Sequence, residues 1–135
     1  MEVGALTSPP MPEETWTRRG RYLRNYDGDT VAVELSLGFG FKFESEKGFR
    51  LLGDNSPELH EAGGIEARDF AANWFAPHPD DPKWPLRVRT IEDKTEKYGR
   101  YLATIWRVRD GASLTTAMLN SGHAKVWDGK GRRPV

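Results

Sequence analysis

Four short apolar runs limit what this chain can fold into. "TVAVEL" at 30–35 sets Val31, Val33 and Leu35 on one face, and "FRLL" at 49–52, "LRVRTI" at 86–91 and "YLATIWRV" at 101–108 repeat the same period of two. Each run is strand-length and ends at glycine, proline or a polar cluster, so none can bury its apolar face alone. They must pair around a common core. Between the first two, "SLGFGFKFESEKG" reads as a long hairpin or as an extension of both strands.

Two stretches change period. "IEARDFAANWF" places Ala67, Phe70, Ala71 and Trp74 at helical spacing after Gly63-Gly64, and "APHPDDPKWP" forbids continuation. "SLTTAMLNSG" has Ser113 as a candidate N-cap, Gly122 as a C-terminal cap, and Leu114, Ala117 and Met118 facing inward. A short strand in "HAKVW" can follow. Three strands, a helix, two strands, a short helix and a tail suit an α+β, mainly β class: a small Greek-key barrel decorated by helices.

With 135 residues the chain fits one domain able to bury a core without disulfides, and it has no cysteine to form them. Pro9, Pro10 and Pro12 keep helix and central strand out of residues 1–15, which read as a flexible leader. The domain then occupies 16–128, and "GKGRRPV" at 129–135 is a basic tail. No signal-peptide pattern and no apolar run near the roughly 18 residues of a membrane helix occurs, so no membrane partner is expected and a cytoplasmic location is. No heptad or long apolar patch argues for a dimer, so a monomer is expected.

Twenty basic residues balance twenty acidic ones. Bulk electrostatics therefore cannot hold a polyanion, and any anionic substrate must be gripped locally. "RRGRYLR" at 18–24 is a local basic cluster, readable as the border of a phosphate site or, more commonly, as a solvated face.

Three clusters carry charge where a core or a plain turn does not need it: "YDGDT" at 26–30, "RLLGDNSPE" at 50–58 and "KYGR" at 97–100. "DGD" and "YGR" by themselves are good turns. Arg50 sits inside a strand, where it either meets water at an edge or needs an anionic partner. Two carboxylate-bearing turns with two arginines fit phosphodiester hydrolysis. That reaction uses an oxygen-ligated cation, a carboxylate to activate water, and guanidinium groups to offset charge building on the phosphate.

"DGDTVAV", "FRLLGDNSPE", "EKYGRYLATIW" and "TTAMLNSGHAKV", in this order and spacing, resemble the staphylococcal nuclease family, calcium-dependent thermonucleases built on a five-stranded OB-like barrel. The resemblance covers about residues 16–128. It implies an endonuclease that attacks the phosphate in line with water, expels the 5′ oxygen and leaves 3′-phosphate ends on DNA and RNA alike. Calcium is the implied cofactor, with other divalent ions as alternatives, and nucleic acid the implied partner. By position, Asp29 matches a calcium-binding aspartate, Arg50 and Arg100 the phosphate-binding arginines, and Glu58 the proposed general base. Lys97 and Tyr98 match residues that contact the nucleotide's other phosphate, and Ser56 offers a backbone carbonyl to calcium.

One position departs from the pattern. Five residues after Arg50 stands Asn55, where the family most often has a second calcium-binding aspartate, and the nearby acid, Asp54, lies one step earlier. Neighbours in an extended segment point to opposite sides, so the spacing assigns the metal role to Asn55 and leaves Asp54 aside. Losing one negative charge weakens calcium affinity. A barrel that binds nucleic acid or a protein without cutting is therefore the alternative reading.

His60, His78 and His123 lie in unrelated segments and form no metal pair. Alternating Phe39, Phe41 and Phe43 fit two uses, one buried face of the hairpin or a stacking platform for single-stranded nucleic acid, of which the first is the commoner.

Overall fold

A computed structural model of the protein describes residues 6–92 and 101–127. The elements are β1 (Thr17–Asn25), β2 (Thr30–Gly38), β3 (Phe41–Glu44), β4 (Phe49–Leu51), β5 (Gly53–Asn55), α1 (Gly64–Trp74), β6 (Leu86–Glu92), β7 (Tyr101–Arg107), α2 (Leu114–Asn120) and β8 (Lys125–Trp127). Strands β1, β6, β7, β4 and β2 pair in that order, and β1 pairs again with β2. That last pairing closes a five-stranded barrel, leaving no free edge among these strands. Strand β3 is an extra strand on β2, and β5 pairs separately with β8. The architecture is α+β, mainly β, and consistent with an OB-like fold.

All barrel pairings are antiparallel except β4 with β7, where Arg50 meets Leu102 and Leu51 meets Ala103. The expected alternation sets the register. Val31, Val33, Leu35, Leu51, Val88 and Ile105 fill the interior, and Ala67, Ala71, Trp74, Leu114 and Met118 from the helices join the same cluster. A one-residue slip in any of these strands would turn its apolar set to water.

The helix ends follow their local chemistry. Ser113 Oγ accepts a hydrogen bond from Thr116 N at 3.1 Å, which caps α2 as its sequence position implied. At the other end Gly122 N donates to Leu119 O and His123 N to Met118 O, the Schellman pairing. Helix α1 is tied down at its C-terminus by Arg107, whose guanidinium lies 4.5 Å over the Trp74 ring, donates to Trp74 O and pairs with Asp110.

The aromatic run of the hairpin departs from the commoner use of such alternation. Phe39, Phe41 and Phe43 are all exposed, because β3 pairs with the far half of β2, beyond the reach of the helices that cover the core. No described helix is long and apolar enough to cross a membrane.

Candidate functional site

The "YDGDT" turn enters β2, and "RLLGDNSPE" leaves β4. Strand register brings them together, since Thr30 pairs with Arg50 and Leu51 N donates to Asp29 O at 2.8 Å. The turn is braced on itself: Asp27 Oδ1 accepts from Asp29 N, and Tyr26 N donates to Thr30 O. Asn25 fastens it to α1, because its side-chain amide donates to both Asp27 O and Arg68 O at 3.0 Å.

Asp29 is buried. Its Oδ2 accepts from Ser56 N at 3.2 Å, and its Oδ1 from Thr30 Oγ1 at 3.4 Å. Gly28 allows this approach, because a Cβ there would stand 2.5 Å from Ser56 Oγ and 2.9 Å from the end of Met118. Arg50, at 9% exposure, is buried rather than an edge arginine in water.

Burial alternates along the next strand. Asp54 and Ser56 are buried and Asn55 between them is half-buried, so Asp54 and Ser56 share a side. Asp54 is fully covered, and among the described residues neither of its carboxylate oxygens has a hydrogen-bond partner; Ser56 Oγ is in the same position. Burial pushes the Asp54 carboxyl up to about 9, with the like charges of Asp29 and Asp27 adding to the shift. Spacing from Arg50 pointed away from Asp54. Its legible signal was an acid at an alternating, otherwise buried strand position, where an unpaired carboxylate is costly.

Asn55, Ser56 and Glu58 line an open groove of about 530 Å³ whose other wall is Gly122 to Lys125. Helix α1 holds Glu58 from behind. A Cβ on Gly64 would lie 1.9 Å from Glu58 O, so only glycine lets the helix start this close. Glu58 N donates to Glu61 Oε1 at 2.8 Å, and His60 Nδ1 stands 3.6 Å from Glu58 Oε2. Glu58, His60 and Glu61 keep ligand atoms within 4.8 Å of one another, but all three are exposed, and solvated acidic groups of this kind are common without a cation.

Of the residues selected from sequence, Asp29 meets Ser56, Arg50 lies on the strand paired with Thr30, and Asn55, Ser56 and Glu58 line one groove. Lys97, Tyr98 and Arg100 lie outside the described residues. His123 supplies a helix cap and a ring packed on Phe70, and His78 accepts from Asp80 N in the proline-rich loop.

The arrangement offers buried oxygen donors on Asp29, Asp54 and Ser56, a buried arginine on the strand paired with Thr30, and a carboxylate on the wall of an open groove. No protein-family model and no curated protein matches the chain.

Proposed function

We propose that the protein is a divalent-cation-dependent endonuclease acting on DNA and RNA, as the resemblance to the staphylococcal nuclease family implies. The observation that carries this reading is the buried Asp54 carboxylate, without a hydrogen-bond partner among the described residues and lying where the charges of Asp29 and Asp27 bear on it. Two buried carboxylates with a third, half-buried one acting on them are not all anions at once unless a cation offsets them.

The donors are all oxygen, which fits a hard cation such as calcium. Asp29 and Asp54 would hold it with the Ser56 carbonyl, while Asn55, where the resemblance puts a ligand, stands on the other face of β5. When bound, calcium supplies polarisation of the phosphate and neutralises part of its charge. The chain's own groups do the rest. Arg50 and Arg100 grip the phosphate and stabilise the charge that grows on it. Glu58 takes a proton from a water in the groove as that water's oxygen bonds to phosphorus. The bond to the 5′ oxygen breaks, that oxygen takes up a proton from solvent, and a 3′-phosphate end remains.

The test is cleavage of supercoiled plasmid and single-stranded DNA with calcium, with chelator, and with Glu58→Gln. Cleavage should require the cation and fall by about 10²–10⁴ in the variant. No cleavage at millimolar calcium, or a Glu58→Gln protein that cuts as well as wild type, would sink the reading. The Asn55 amide favours a second reading, a nuclease-like barrel that binds without cutting. It predicts nucleic-acid binding indifferent to calcium and no cleavage even after Asn55→Asp.

A further inference from the structure

The β2–β3 hairpin carries aromatic rings that the barrel does not use. Its tip, Gly38-Phe39-Gly40, runs through three successive residues with positive φ, and Phe39 at φ 55 is 99% exposed. A bulky residue in the left-handed region is uncommon and strained, and here its ring stands clear of the protein. Phe41 is exposed beside it.

Below the tip lies a groove of about 390 Å³ lined by Phe39, Phe41, Trp84, Arg19, Lys42 and Lys83 together with small residues. It has three cations and no carboxylate. Glu34, whose charge Lys42 also feels, is engaged by Arg21, and the Arg21 guanidinium stacks 4.5 Å over Trp84.

Rings that stack and three cations, with no acid in the lining, suit a polyanion with exposed aromatic faces. A duplex hides its base faces inside the stack, whereas a single strand presents them. We propose that this groove binds single-stranded nucleic acid, stacking bases on Phe39, Phe41 and Trp84 and pairing phosphates with Arg19, Lys42 and Lys83.

The proposal rests on the nuclease reading for its substrate class. Strand β2 has nine residues and runs from Thr30, next to Asp29, to Gly38 at the groove, a span of roughly 26 Å at about 3.3 Å per residue. A strand held at both ends therefore fits within the ~4–16 nucleotides that an OB fold accommodates. The hairpin groove makes the enzyme prefer long single strands over duplex.

Binding of labelled oligo(dT), about 16 nucleotides long, is measured by fluorescence anisotropy in chelator, where nothing is cut. Phe39→Ala with Phe41→Ala should weaken it at least tenfold, and Arg19→Gln with Lys83→Gln should lower the slope of log affinity against log salt by about 0.7 per lost contact. Duplex binding should change little. Unchanged oligo(dT) affinity in both variants overturns the proposal. So does loss of binding to phosphatidylserine vesicles with oligo(dT) affinity intact, which would make the hairpin a membrane element. A Glu58→Gln protein that cuts like wild type ends the nuclease reading and leaves the binding result standing. Intact oligo(dT) binding in the phenylalanine variant, with cleavage still lost in Glu58→Gln, ends only the hairpin proposal.

Discussion

Asp54 concentrates the electrostatic tension of the molecule in one side chain. Its carboxyl, raised from 3.8 to about 9, keeps its proton in the folded protein over a range where the unfolded chain has lost it. The folded state then binds more protons, so stability falls as pH rises between those values, by up to about 1.4 kcal/mol per unit, and the contribution is complete only below about pH 4. Without a cation, melting temperature measured by circular dichroism should drop from pH 5 to pH 8 in wild type and drop less in Asp54→Asn. Calcium should raise the melting point of wild type at pH 8, because it binds the folded ionised site, and should do far less for the variant. Equal calcium shifts in the two proteins would remove Asp54 from the cation site.

At the scale of elements, the site is a meeting of turns whose positions are set by what they end. The "DGD" turn is held by β2 and by Asn25, and the Glu58 turn by the first residue of α1. Gly64→Ala has to move one of them, since its Cβ would overlap the Glu58 carbonyl. Overpacking of this kind costs about 1–3 kcal/mol. We expect a lower midpoint in urea and, at temperatures where the variant stays folded, slower cleavage than wild type because Glu58, the proposed general base, is displaced. A fully active Gly64→Ala would mean that Glu58 is not positioned by the helix.

At the scale of the whole molecule, barrel closure couples core and site. Ile105 is wholly buried in the interior, on the strand that pairs with β4 and so lies beside the carrier of Arg50. Ile105→Ala should destabilise by about 2–5 kcal/mol in denaturant titration, from lost burial and the cavity left behind. A loss below about 1 kcal/mol would show that the barrel interior collapses around the gap.

The barrel was legible in "TVAVEL", "LRVRTI" and "YLATIWRV" because their alternation is a local record of which side faces the core, and Ser113 announced α2 because capping is chemistry between near neighbours. Asp29 and Arg50 stood out because a charge inside or beside a strand needs a partner once buried, and both are buried. Counting along the chain could not rank Asp54 against Asn55. That depends on which face of β5 feels the charges of another turn, 25 residues from Asp29 in sequence.

The hairpin shows the same division. Phe39, Phe41 and Phe43 carry the period of a buried face, and only their distance from the helices leaves them in water. What the sequence by itself determined is therefore the set of elements and the chemistry each can offer, since both arise from short-range sterics and hydrogen bonding. The tertiary structure alone decided which groups share a site and which apolar face stays uncovered, because burial and charge act through space between residues the chain keeps far apart.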